Sequence, residues 1–392
     1  MSAVMPTYGR YNLSFERGEG AYLFATDGRR FLDFATGIAV NSLGHCHPHL
    51  VKAVQEQAAT LWHTSNLYDI PGQIKLADRL SDATFADSVF FCNSGLEAVE
   101  GAIKLARRYQ YANGAPERWR FVTCEGSFHG RSLTSIAASK NPNHLEGFGP
   151  EADGFDMVAY GNLNELRAAI TPETAGILVE PVQGESGIRP ADLGYLRSLR
   201  EIADEFGVLL VFDEVQCGAG RTGKFSAHEW AGITPDVMSM AKGLGGGFPI
   251  GAVLATGEAA KGMVPGTHGS TFGGNQLAAA AANAFMDVVM EDGFFDRVDA
   301  MGRLLWDKTV DVVAKHPAVY KSLRGAGLMI GIICEVPNSA VITRLHDEGM
   351  LTVPAGDNVA RLLPPMTIEE SHIDEAVAML DRVGEALCPS DE

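Results

Sequence analysis

Two residues of opposite charge stand at the ends of two apolar runs, and together they suggest covalent chemistry. Val208–Phe212 has the length and composition of a buried strand and leads to Asp213. Val237–Ala241 is a second such run and leads to Lys242, with Gly243, Gly245, Gly246 and Gly247 close behind. Ligands of open α/β sheets bind outside the carboxyl ends of the strands. Asp213 and Lys242 would therefore face one crevice. A lysine amine forms a Schiff base with an aldehyde, and a carboxylate keeps a pyridine nitrogen protonated. Pyridoxal 5'-phosphate (PLP) chemistry makes both demands. Each residue also has a plainer explanation: a strand-end Asp often only caps a helix, and a lone Lys before glycines is usually solvated. Placement after two neighbouring buried runs gives the pair its weight.

The remaining parts of such a site can be sought at the same edge. Ser88–Cys92 reads as a short strand, followed by Asn93-Ser94-Gly95 and a helix from Leu96 to Tyr111. A helix N-terminus offers free N–H groups and the positive end of the dipole to a phosphate. Ser94 could equally be an N-cap with Glu97 completing a capping box, and the two roles are compatible. The strand Arg120–Cys124 leads to Phe128, His129 and Arg131. Phe128 could stack on a flat cofactor, and Arg131 could clamp a carboxylate. Taken alone, they would be a packed Phe and a solvated Arg. The strand Ala175–Glu180 leads to Gln183 and Glu185. Arg361 lies inside the apolar stretch NVARLLPP. A buried arginine is rare unless paired, so a carboxylate partner is expected.

Further apolar runs lie at Phe155–Tyr160 and Ile250–Ala255, and helical patterns at Pro48–Leu61, Pro71–Leu80, Leu163–Ile170 and Leu193–Phe206. Strands alternating with helices indicate an α/β fold with a mostly parallel sheet. Ala21–Ala25 and Arg30–Phe34 form a hairpin pattern around Asp27–Gly28. An alanine-rich helix over Gln276–Met290 suggests close packing, as at a subunit interface. From Asp292 the texture becomes α+β. Helices are expected at Phe295–His316, Ser339–Glu348 and Ile368–Leu387, and strands at Gly325–Cys334, Leu351–Val353 and Val359–Leu363. A nucleotide-binding fold would need GxGxxG after the first strand, or a lysine after its glycines rather than before them. His45, Cys46, His47 and His49 crowd one loop. Pro48 starts a helix there and no second ligand cluster matches, so no metal site is expected.

Composition sets outer bounds. The chain has 392 residues and a net charge of −18. That length allows two domains. That charge argues against nucleic acid or an anionic membrane surface as the main partner. Six cysteines without CxxC spacing do not make a disulfide scaffold. No apolar leader or membrane-length run is present, which fits a cytoplasmic protein.

The chain resembles the class III, or ω-amino-acid, aminotransferases. The likeness runs through TGIAVNSLGHCHPHL, LWHTSNLY, FCNSGLEAVEGAIKLAR, GSFHGRSLTSIAAS, EPVQGESG, FDEVQCGAGRTGKF, KGLGGGFPIGA, GSTFGGN and ARLLPP. Leu96 departs from it, standing where a small or hydroxyl residue is expected. The resemblance implies PLP fold type I. A large domain (48–290) would carry the helix-covered sheet, with a small α+β domain (291–392) and the N-terminal segment 1–47 packed beside it. It also implies site roles. Lys242 would carry the cofactor and shuttle the proton. Asp213 would bond the ring nitrogen, Val215 and Phe128 would flank the ring, and Gln216 would reach its hydroxyl. Ser94 and Gly95 would hold the phosphate, with Thr271 arriving from the other subunit of a homodimer. Arg131 and Ser270 would contact the amine donor. Arg361 would bind a carboxylate of 2-oxoglutarate, masked by Glu185 while the donor is bound. The implied reaction passes the terminal amine of N2-acetylornithine to 2-oxoglutarate. Succinyldiaminopimelate, ornithine or 4-aminobutyrate are alternative donors, and an aminomutase of the glutamate-semialdehyde type is the rival outside transamination.

Overall fold

The computed structural model describes residues 3–388. Its centre is a seven-stranded sheet in the order Ser88–Cys92, Gly251–Ala255, Val237–Met240, Leu209–Asp213, Thr174–Val179, Arg120–Cys124, Phe155–Val158. Leu209–Asp213 runs parallel to both of its neighbours. Gly251–Ala255 is the one reversed strand, antiparallel on both sides. The mostly parallel sheet expected from the α/β pattern is thus present. Every residue from Leu209 to Asp213 is buried, because helices cover both faces and leave no solvated side.

The helix Leu193–Phe206 shows how sequence builds these layers. The Asp192 carboxylate caps it, accepting the Gly194 N–H at 2.8 Å and the Tyr195 N–H at 3.2 Å. Tyr195, Leu196, Leu199, Ile202 and Ala203 recur at helical spacing and are buried. They pack in one cluster with Leu210 and Phe212. Gly207, at φ +61°, stops the helix in the left-handed conformation. Leu199→Ala in this interface would cost about 3 kcal/mol. The helix Gly95–Ala112 lies close enough to the sheet that a Cβ at Gly101 would come within 2.8 Å of Val253 Cγ2.

The C-terminal part forms a four-stranded sheet, Tyr320–Ala326, Met329–Cys334, Val359–Leu362, Val353–Ala355, with helices Phe294–Lys315, Asn338–Glu348 and Glu370–Leu387. One expectation fails here. Gly325–Cys334 is not one strand but the far side of a hairpin that reverses between Ala326 and Met329. The turn presses on the Thr222 backbone, where a Cβ at Gly327 would lie 2.6 Å from the carbonyl carbon. A turn packed against protein keeps apolar residues, so composition does not announce it. The expected strand Leu351–Val353 also divides. Met350–Leu351 joins the N-terminal sheet of Phe15–Glu19, Tyr22–Ala25 and Arg30–Asp33, beside Leu32 and Asp33, while Val353–Ala355 pairs with Val359–Leu362. One short stretch therefore links the two sheets.

The alanine-rich helix Gln276–Val289 buries its small residues against the helices Pro48–Ala58 and Pro71–Ala83 of the same chain. Its composition serves packing within the chain. The histidine-rich loop disperses: His45 Nε2 lies 2.7 Å from Asp33, and His49 Nε2 lies 2.8 Å from Asp287.

Candidate active site

Asp213 pairs in register with Ser239, three residues before Lys242 on the neighbouring strand. Lys242 has a backbone φ of +42°, a conformation that non-glycine residues rarely adopt and that concentrates at functional sites. Both residues line a cavity of about 240 Å³, together with Gly95, Leu96, Phe128, Arg131, Glu180, Val215 and Gln216.

The floor of this cavity is fixed. Asp213 Oδ1 accepts the Val215 N–H at 3.0 Å, and Oδ2 lies 2.8 Å from His129 Nδ1. Both side chains are buried, and His129 Nε2 has no partner among the described residues. Glu180 is buried beside them and accepts the N–H groups of Phe128 at 3.0 Å and Gly184 at 3.5 Å. Burial, and then the Asp213 charge, push the Glu180 carboxyl well above the usual range. The Lys242 amine has no hydrogen-bond or ion-pair partner among the described residues. Burial lowers its pKa, Arg361 adds to that, and the carboxylates of Glu185, Asp213 and Glu180 pull the other way. A lowered value leaves more free amine, the nucleophilic form.

The helix Gly95–Ala112 aims its N-terminus at the cavity. Ser94 caps it, accepting the Glu97 N–H at 3.3 Å. The N–H groups of Gly95 and Leu96 belong to the first turn, which has no intrahelical acceptors. Glycine is required at 95, because a Cβ would lie 2.6 Å from Val215 Cγ1. Leu96 lies against Gly130, within 3.2 Å of where a Cβ on that glycine would stand.

At the rim, behind the lining Gln216, stands the buried arginine. Arg361 Nη1 lies 2.7 Å from Glu185 Oε1, and Nη2 lies 3.2 Å from Oε2, a forked pair. Pro354 O and Gly184 O accept further hydrogen bonds at 2.8 and 3.3 Å. Burial alone would raise the Glu185 carboxyl, but the charge and hydrogen bonds of Arg361 hold it below its ordinary value. Gln216 Nε2 also donates to Glu185, at 3.3 Å.

Ser270 and Thr271 are not brought to this cavity within one chain. They line a separate cavity of about 780 Å³ with His63, Asn66 and Phe90. Ser270 Oγ there accepts the Gly273 N–H at 3.0 Å. A third cavity, of about 580 Å³, shares Phe128 and Arg131 with the Lys242 cavity and reaches Glu185. Two residues of the floor received no role from sequence. His129 stands between Phe128 and Arg131, and Glu180 ends its strand. The only signal was an ionisable residue at each strand end, and nothing in sequence says that His129 reaches Asp213, 84 positions away.

One further group could suggest a metal: His316, Asp381 and Glu385. Lys315 already pairs with both carboxylates, at 2.7 and 3.1 Å.

The donor set of the Lys242 cavity fits PLP: a half-buried amine without a partner among the described residues, a fixed carboxylate, an aromatic wall and an open helix N-terminus. A model of the class III aminotransferases matches residues 4–383, and the chain belongs to that family. It is a PLP-dependent aminotransferase of the fold that family shares. The chain is 57% identical to the acetylornithine aminotransferase of Mesorhizobium japonicum, over 96% of its own length and 94% of the relative's. Among solved structures, the N-acetylornithine aminotransferase of Stenotrophomonas maltophilia is 35% identical with a TM-score of 0.85, covering 97% of each chain. The ornithine aminotransferase of Toxoplasma gondii superposes with a TM-score of 0.94 at 30% identity, over 98% of this chain and 93% of that one.

Proposed function

We propose that the chain transfers the terminal amine of N2-acetyl-L-ornithine to 2-oxoglutarate, forming N-acetyl-L-glutamate 5-semialdehyde and L-glutamate, a step of arginine biosynthesis. One observation carries the chemistry: a half-buried Lys242 amine without a partner among the described residues shares a cavity with Asp213 and Arg131. The near full-length likeness to acetylornithine aminotransferases supports the choice of donor.

Bound PLP supplies an aldehyde carbon that condenses with amines and a protonated pyridine ring that withdraws electrons. The residues divide the remaining tasks. Lys242 Nζ would hold the cofactor and then, as a free amine, take the proton from the donor carbon that bears the nitrogen. Burial lowers its pKa, which leaves more of the free amine that acts as the base. Asp213 would bond the ring nitrogen, since an adjacent anion favours the protonated form. His129 and the Val215 N–H hold Asp213 in place. Phe128 and Val215 would flank the ring, and Gln216 would reach its hydroxyl. Ser94 and Gly95 would hold the phosphate at the helix N-terminus. Arg131 and Ser270 would contact the donor, with Arg131 taking its carboxylate. Glu185 would cover Arg361 while the donor is bound and release it to 2-oxoglutarate, which brings a carboxylate of its own.

The same reading makes the protein a cytoplasmic homodimer whose partner copy supplies Thr271 to the phosphate. It divides the chain into 48–290 and a small domain of 291–392 packed with 1–47. Among the described residues no helix is long and apolar enough to cross a membrane. The net charge of −18 disfavours nucleic acid as a partner.

A donor panel tests the assignment: kcat/KM for acetylornithine, succinyldiaminopimelate, ornithine and 4-aminobutyrate, each with 2-oxoglutarate. Acetylornithine should lead. Superposition on the Toxoplasma enzyme at a TM-score of 0.94 favours ornithine as the second reading. Turnover of glutamate semialdehyde without any 2-oxoacid would replace both with an aminomutase.

A further inference from the structure

A second cavity adjoins the Lys242 cavity at Phe128 and Arg131. This cavity, of about 580 Å³, extends to Ser127, Lys140, Asn141, His144 and Glu185. The arginine at the junction fixes what each side receives. A donor whose α-carboxylate sits on Arg131 keeps its reacting amine on the Lys242 side. The other substituent of the same carbon, its nitrogen with whatever that nitrogen bears, is left for the second cavity.

His144 stands in that second cavity, on the short helix Pro142–Leu145. Its ring meets Phe128 edge-on, with centroids 5.9 Å apart and planes at 85°. The Arg131 guanidinium lies 5.7 Å from the centroid of the same Phe128 ring. One aromatic wall is therefore shared by the carboxylate clamp and the imidazole. No ring nitrogen of His144 has a partner among the described residues. The charged groups that line this space are Arg131, Lys140, Glu125 and Glu185. Glu185 is committed to Arg361, and Lys140 lies 3.6 Å from Glu151. Burial, then the Arg131 charge, hold the His144 pKa below its ordinary value, with Glu185 pulling it up. A neutral imidazole offers one donor and one acceptor, the complement of an amide's C=O and N–H. An α-ammonium, by contrast, would add a cation beside Arg131.

We propose that this second cavity is the subsite for the N-acyl amide of the donor, and that His144 is the specificity-determining residue that hydrogen-bonds it. The inference rests on the N-acylated donor proposed above and says how that donor is told from its free-amine counterpart. A site built to hydrogen-bond a polar group rejects analogues that lack it far better than an apolar pocket rejects an extra group.

The test uses the holoenzyme and two variants. His144→Phe keeps an aromatic edge against Phe128 and removes the hydrogen bonds. His144→Asn keeps a donor and an acceptor. His144→Phe should lower kcat/KM for acetylornithine about tenfold, the size expected for one lost hydrogen bond, and mainly through KM. The values for ornithine and for glutamate should hold within about twofold, and His144→Asn should recover part of the loss. Equal losses for every donor would reduce His144 to packing under Phe128 and overturn the inference, as would an unchanged ratio of acetylornithine to ornithine. Wild-type enzyme that ignores acetylornithine would instead remove the donor reading itself, and this inference with it.

Discussion

Two paired carboxylates stand at the Lys242 cavity, Asp213 with His129 in its wall and Glu185 with Arg361 behind Gln216, and they are built differently. On the floor, the side chains of His129 and Asp213 are 0% and 4% exposed, and the second Asp213 oxygen is held by the Val215 N–H. At the rim, Arg361 is 2% exposed but Glu185 is 31% exposed. The floor pair cannot separate without disturbing a strand end and a packed loop. Glu185 can leave, because it borders the 580 Å³ cavity, and Arg361 would keep the carbonyls of Pro354 and Gly184. A carboxylate with no freedom suits a constant task, holding one protonation state. A carboxylate with an exit suits a task that alternates between two substrates.

The largest expected effect is that of Asp213→Ala. With the floor carboxylate gone, kcat should fall about a thousandfold, the scale of losing a preorganised charge. Both half-reactions should suffer alike, and a loss confined to one of them would move Asp213 to the exchangeable class. His129→Phe should cost less, about thirtyfold, since it removes only an orienting partner. Its absorbance spectrum should shift as well, which a purely structural role would not produce.

Glu185→Gln addresses the rim. Arg361 loses its charged cover, so kcat/KM for acetylornithine should fall about tenfold against that for glutamate, a charge-selection effect of modest size. Parallel changes in both would contradict an exchangeable pair. The smallest expected effect is on stability. The Glu185 carboxyl sits below its ordinary value of 4.5 when folded. Its contribution is therefore complete above 4.5 and is lost as pH falls through the folded value. Glu185→Gln should cost about 1 kcal/mol at neutral pH, given the partial exposure of the carboxylate, and nothing in strong acid. Urea midpoints across pH measure this, and a constant difference would show that the pair does not titrate as described.

The same contrast governs what the sequence made legible. Lys242, Asp213 and Ser94-Gly95 could be found because each follows an apolar run that burial on both sheet faces demands. Arg361 was legible because a charge inside such a run needs a partner, although the run did not say which carboxylate. His129 and Glu180 were not assigned, because their roles depend on which way a loop turns after its strand. The hairpin at Gly327 was hidden for a related reason. Its turn packs on Thr222 instead of facing water, so it lacks polar punctuation. Ser270 and Thr271 lie outside the Lys242 cavity of a single chain. Their place near a cofactor came from family likeness, and for Thr271 it rests on the homodimer proposed above.

The most direct measurement follows the two half-reactions separately, by the absorbance of the PLP-loaded enzyme. Acetylornithine alone should bleach the cofactor band once and stop, and 2-oxoglutarate should restore it. Glu185→Gln should slow the first step and spare the second, while Lys242→Ala should abolish both. A band that returns without any 2-oxoacid, or that bleaches equally well in Lys242→Ala, would contradict transamination through Lys242.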